Sequence, residues 1–204
     1  MSPARDVDLV APGLAVWQSY DPAIKADLFS TAIETAAGLF IVDPIALEKA
    51  VLQNLLRDQR LGGIIITNVN HIRAAPQFVK TFGAQILAHP ALGTELENAV
   101  RLSENQGPAK DLRAIFIDGA AEGEIALHCQ RDGGTLIVGD ALINFGPHGF
   151  DFLPAKYCSN AKQMRRSLRK LLDLSFERIL FAHGMPILSS AHARLKQLLR
   201  GLSA

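Results

Sequence analysis

Ile64-Ile65-Ile66-Thr67-Asn68-Val69-Asn70-His71-Ile72-Arg73 is the stretch on which the fold turns. Its first three residues form a short, wholly apolar run, the pattern of a strand covered on both faces. The polar residues after it end the strand and lead into a helix expected around Pro76 to Phe82. The same alternation extends in both directions. Upstream, the pattern predicts strands at 13–17, 28–33 and 39–42, the last stopped by Asp43-Pro44. Leu47, Val51, Leu55 and Leu56 then recur at helical spacing, which predicts an amphipathic helix from about 45 to 60. Downstream, strands are expected at 85–88, 114–117, 125–128, 136–138 and 179–181, with Gly119, Gly123 and Gly133-Gly134 in the turns. A helix is expected around 95–100. Met164, Leu168, Leu171 and Leu172 mark another, whose Lys162, Arg165, Arg166 and Arg169 read as a solvated face. Leu195, Leu198, Leu199 and Leu202 mark a closing helix. No linker, repeat or low-complexity segment interrupts the pattern. The expectation is one α/β domain over residues 1–204, with two facing sheets and helices outside them.

The composition sets bounds on function. With 204 residues, 49% of them hydrophobic, the chain can bury one sizeable core. A formal net charge of +1 gives no argument for nucleic acid or for a membrane surface as partner. No apolar run approaches the roughly 20 residues of a membrane-spanning helix. The start, Met1 to Asp6, lacks the basic flank and apolar stretch of a signal peptide, so a cytoplasmic location is expected. Cys129 and Cys158 have no CxxC spacing and are expected as free thiols. A GxSxG nucleophile elbow is absent, as are the GxGxxG and GxxxxGK[ST] phosphate loops.

Five short stretches, in order, resemble the signature of metallo-β-lactamase-like hydrolases. Leu39 to Pro44 resembles the strand and turn of the family's first block. Ile64 to Arg73 lies where the family carries Thr-His-x-His-x-Asp-His. Gly119 to Leu127 resembles its Gly-His-Thr-Pro-Gly-x-x-x-Leu stretch. Gly139-Asp140-Ala141-Leu142 resembles the strand end that carries the metal-bridging aspartate. Ile179 to Pro186, with Ala182-His183-Gly184, resembles the turn that supplies the last histidine. The resemblance implies a four-layer αββα sandwich and a two-metal hydrolytic centre at one edge of it. In that centre imidazole and carboxylate ligands hold borderline metals that acidify a shared water. Thioester, lactone, phosphoester and β-lactam hydrolysis all use this fold, so it implies no substrate.

Residue by residue, the carried-over ligand positions depart from the family pattern. The first motif's four fall on Asn68, Asn70, Ile72 and Arg73, and the third histidine of the first metal falls on Ala120. Only Asp140 and His183 match. Amides hold transition metals poorly, an isoleucine offers no lone pair, and a guanidinium repels a cation. The expectation is therefore a non-catalytic or metal-free member, without a cofactor, whose pocket takes a small molecule or a protein partner. In it, Arg73 replaces the second metal as the ion-pair partner of Asp140. The alternative is a hydrolase with one zinc, iron or manganese ion on Asp140, His183 and a borrowed ligand, His71 or His148. A purely structural protein is the third reading. His71 is expected to face away from the pocket, by the period-2 rule of a strand end. His89, His128 and His192 are expected to be structural.

Overall fold

The computed structural model describes residues 2–57, 59–145 and 149–201, all but the Phe145 side chain. Four strands, β1 (Asp8–Ala11), β2 (Leu14–Asp21), β3 (Ala26–Thr35) and β4 (Gly38–Val42), run as an antiparallel meander. Helix α1 (Lys49–Leu55) crosses over to β5 (Leu61–Ile66), and α2 (Ala75–Phe82) crosses to β6 (Ile86–Ala88). These strands, with the short β7 (Val100–Arg101), extend the sheet in parallel. A second sheet takes β8 (Leu112–Phe116), β9 (Ile125–Cys129) and β10 (Thr135–Val138) in antiparallel order. After the hairpin of β11 (Leu142–Phe145) and β12 (Gly149–Phe152) and the helix α3 (Ala161–Leu168), β13 (Arg178–Phe181) pairs parallel to β10. Helix α4 (Ala191–Arg200) closes the fold.

Side-chain alternation builds the layers. Ile65 packs between the sheets with Val42, Leu127, Ile137 and Leu180. Its neighbours Ile64 and Ile66 face outward, into a cluster with Phe78 of α2. In the second sheet Leu136, Val138, Ile179 and Phe181 face outward, against Met164, Leu168, Leu195 and Leu199 of α3 and α4. A strand residue alternates faces with period 2, so a continuous apolar run is what covering both faces demands. Each such fully buried side chain contributes about 1.5–3 kcal/mol. The three core clusters, one between the sheets and one outside each, make the four-layer αββα sandwich.

Two helix boundaries differ from expectation. The helix expected from about 45 spans only Lys49–Leu55. Ile45 and Leu47 are buried in extended chain instead: the Ile45 amide donates to Ser30 Oγ, and Leu47 bridges Ala4. The helical spacing of Leu47 and Val51 was thus set by two different elements. Around 95–100 there is no helix; a 3₁₀ turn at Pro90–Gly93 comes earlier and Val100–Arg101 is strand. There the short β6 needs an edge partner for its backbone groups. Neither cysteine is in a disulfide; Cys129 is buried and Cys158 partly so.

Candidate metal centre

The parallel strands β4 and β5, and the parallel pair β10 and β13, end on one edge of the sandwich, and each delivers a polar residue just past its end. These are Asp43, Thr67, Asp140 and His183. Loops at the carboxyl ends of parallel strands are where α/β folds place their sites. Asp43 adopts a left-handed conformation (φ 51°), which turns its carboxylate back under the sheet end. There its Oδ1 accepts from the Thr67 amide (2.9 Å) and its Oδ2 from the Thr67 hydroxyl (2.6 Å).

His71 enters this pocket, against the expectation that it faces away and where the one-metal alternative placed it. The chain after β5 does not continue as a strand; Val69–His71 is a 3₁₀ turn capped by Asn68, whose Oδ1 accepts from the Asn70 amide at 2.9 Å. In a 3₁₀ turn residues three apart share a face, so Asn68 and His71 both point inward and the strand rule does not apply. His71 Nδ1 lies 3.0 Å from Asp43 Oδ2 and 2.8 Å from Thr67 Oγ1. The Thr67 hydroxyl has one hydrogen, already given to Asp43, so it can only accept from His71. Nδ1 therefore carries a proton, and the ring's other nitrogen is aimed at the pocket.

That nitrogen, His71 Nε2, lies 3.1 Å from Asp140 Oδ1 and 3.3 Å from His183 Nε2; His183 Nε2 lies 3.3 Å from Asp140 Oδ1. Three ligand atoms thus form a nearly equilateral triangle. Atoms bound tetrahedrally at about 2.0–2.1 Å to one ion are separated by about 3.3–3.4 Å. Two imidazoles and a carboxylate suit zinc or a similar borderline ion, and a carboxylate behind the histidine is the usual outer support of such a ligand. The donor set fits a metal. Of the three side chains only Asp140 and His183 reach solvent, at 10% and 14% exposure.

The charges are mutually dependent. Burial pushes the His71 imidazole down, but the charges of Asp43 and Asp140 outweigh it and raise it to about 9. Both aspartates lie below the usual carboxylate range despite burial, because His71 faces them and, for Asp140, because His183 also hydrogen-bonds it. Glu124, just before β9, is raised well above that range by burial and by the Asp140 charge. With no metal, Asp43 and Asp140 balance Arg73 and protonated His71.

The remaining expected site residues divide. Asn70 Nδ2 donates to Asp140 Oδ2 at 3.2 Å, and Asn68 Nδ2 to Glu124 Oε2 at 2.7 Å. Ile72 packs outward with the α2 layer, and Ala120 is buried in the cluster under α3 and α4. Arg73 is near the site, but the expected Arg73–Asp140 ion pair is absent among the described residues. Its backbone is left-handed (φ 41°), and its guanidinium goes to backbone carbonyls instead. It donates to Phe29 O (2.7 Å), Asp43 O (3.1 Å) and Ala182 O (3.5 Å), tying β3, β4 and the end of β13 together. The cation that meets Asp140 is His71. His89 caps the 3₁₀ turn at Pro90, and the rings of His128 and His192 meet the carbonyls of Ser175 and Leu172. His148 lies outside the described residues. The sequence reading missed Glu124 as a site residue and gave Asp43 only as part of a strand-ending turn near the pocket, where it does accept from the Thr67 backbone amide.

The family model described as the metallo-beta-lactamase superfamily matches residues 7–202. Among curated proteins nothing matches. Solved structures with the same fold include the DIM-1 metallo-beta-lactamase, with a TM-score of 0.76 and 14% identity, covering 99% of this chain and 99% of that one. An archaeal metallo-beta-lactamase superfamily protein from Sulfolobus tokodaii gives a TM-score of 0.70 at 14% identity, covering 94% of this chain and 86% of that one. A metallo-beta-lactamase family protein from Thermus thermophilus gives 0.67 at 18%, covering 95% and 79%. At these identities the structural likeness speaks for the fold alone. Because the family model spans nearly all of a chain that also has the four-layer sandwich and its strand-end pocket, the chain belongs to the metallo-beta-lactamase superfamily.

Proposed function

We propose that this protein is a metal-dependent hydrolase with a single metal ion, held by His71, Asp140 and His183. The observation that carries this reading is the convergence of those three ligand atoms to 3.1–3.3 Å, with His71 locked by Asp43 and Thr67 in the tautomer a ligand requires. A divalent ion in such a site acidifies water and polarises the bond to be cleaved. The chain's own residues do the rest. Asp43 fixes the His71 ring, Asn70 orients the Asp140 carboxylate, and Arg73 ties β3 to the ends of β4 and β13 through the carbonyls of Phe29, Asp43 and Ala182. The near-neutral chain takes a small molecule as its substrate, with neither nucleic acid nor a membrane as partner. Among the described residues no helix is long and apolar enough to cross a membrane.

A second reading rests on the charge balance: a metal-free, non-catalytic protein in which the His71 proton takes the ion's place between Asp43 and Asp140. The two part on activity. The purified protein is assayed on thioesters, lactones, phosphoesters and a β-lactam, before and after removal of metal by a chelator. The hydrolase reading expects turnover of at least one class, lost on chelation, restored by zinc, iron or manganese, and lost in His71→Ala. Turnover indifferent to chelation, or none on any class with metal supplied, contradicts it.

A further inference from the structure

Beside the candidate centre lies the space that belongs, by the resemblance, to a first metal, and its chemistry is not merely missing but replaced. Glu124 is 3% exposed, and its carboxylate lies against Asn68, one of the positions where that metal's ligands are expected. Its Oε1 accepts from the Ala141 amide at 3.0 Å and its Oε2 from Asn68 Nδ2 at 2.7 Å. The other end of the Asn68 amide is also occupied, since Oδ1 accepts from the Asn70 amide. Asn70 in turn is tied to Asp140. The packing is close enough that a Cβ on Gly139 would stand 2.7 Å from Glu124 Oε1, 2.7 Å from Thr67 Oγ1 and 3.0 Å from Asn68 Nδ2. Only a glycine admits the carboxylate there. Both oxygens of Glu124 and both ends of Asn68 are thus engaged in bonds within the chain, and leaving any of these buried groups unpaired is costly.

We infer that Glu124 is the residue that fixes the metal number of this site, filling the first subsite so that the pocket takes one ion and not two. It is a specificity-determining residue that touches no ligand atom of the proposed ion, and the inference rests on the metal reading only for the count of one. Loss of the family's histidines at 68, 70 and 120 is then not sufficient to explain the missing ion, and returning them does not bring it back while Glu124 stays.

The experiment counts zinc by elemental analysis after dialysis in full-length variants. Asn68→His/Asn70→His, with Ala120 left in place because it is fully buried, is expected to hold no more zinc than the parent. Adding Glu124→Ala to that pair is expected to raise the count by one ion per chain. A second ion in the double variant with Glu124 intact overturns the inference, and so does no gain in the triple variant. The difference between the two variants is the readout, so a parent without zinc defeats the mononuclear hydrolase and leaves this test standing. Should the histidine variants not fold, hydrogen exchange of the Asn68 side-chain amide decides. It is expected to be at least about tenfold faster in Glu124→Ala than in the parent, since local opening sets exchange; equal rates overturn the filling of the subsite.

Discussion

The two halves of the pocket have met the loss of family ligands in opposite ways. In one half Asn68 is bonded to Glu124 at 2.7 Å and to the Asn70 amide at 2.9 Å, and Asn70 reaches across to Asp140 at 3.2 Å. In the other, His71, Asp140 and His183 aim three atoms at a common point while Asp43 and Thr67 occupy only the rear of His71. The first half is satisfied by the chain itself. The second is held by the His71 proton, and in the proposed hydrolase an ion would take that proton's place. Departure from the family's motif therefore need not leave the pocket without imidazoles: one residue beside the motif, brought round by a 3₁₀ turn, places a ring nitrogen next to Asp140 and His183.

The largest effect is expected at Asp43, since it braces the open half. Asp43→Ala strands a buried imidazolium and frees the Thr67 amide. It should cost about 3–5 kcal/mol in urea unfolding of the metal-free protein and weaken zinc about 10–100-fold, the usual effect of removing an outer support. Unchanged stability and zinc affinity would erase the distinction between the halves.

Next in size is the dependence on pH. The His71 pKa is raised from 6.5 to about 9 in the folded protein, so its contribution to metal-free stability is full below 6.5 and is lost as pH rises through about 9. Glu124, also raised, acts in the same direction, while the lowered Asp43 and Asp140 contribute stability that is lost on acidification. Zinc must displace the His71 Nε2 proton, so below about pH 9 its affinity should fall about tenfold per unit of acidification. Titration calorimetry in buffers of different ionisation enthalpy should find at least one proton released per ion. Release of none would place the proton elsewhere.

Ile72→Asp, which restores a family ligand type, sharpens the comparison by failing. Its side chain faces the α2 layer, so it should add no zinc and should destabilise the fold by about 1–3 kcal/mol through lost burial. The smallest effect is expected for Asn70→Ala, which removes one partly buried hydrogen bond to Asp140. It should cost about 1 kcal/mol and change zinc affinity less than tenfold.

Much of this was legible in the sequence. The apolar triplet 64–66 and its counterparts at 136–138 and 179–181 gave strands and layers correctly, because covering both faces of a sheet leaves a local mark. Asp140 and His183 were visible through the family resemblance alone, each standing where the family's pattern carries a ligand. The alternative named His71 as a borrowed ligand, but its direction was not legible: it depends on whether the chain past Ile66 stays extended or winds, and the Asn68 cap that decides this is silent in strand periodicity. Nor was the role of Arg73 legible. Its charge suggested a carboxylate partner, but the partners are three carbonyls from strands far apart in sequence, which only the assembled sandwich brings together.

The central claim is that His71, not a residue of the lost motif, completes a one-ion site with Asp140 and His183. Elemental analysis of protein purified without a metal-binding tag, in parallel with His71→Ala, tests it most directly. One equivalent of zinc, iron or manganese in the parent and well under one in the folded variant is the predicted result. No metal in the parent even after zinc is supplied, or an undiminished equivalent in His71→Ala, would contradict it.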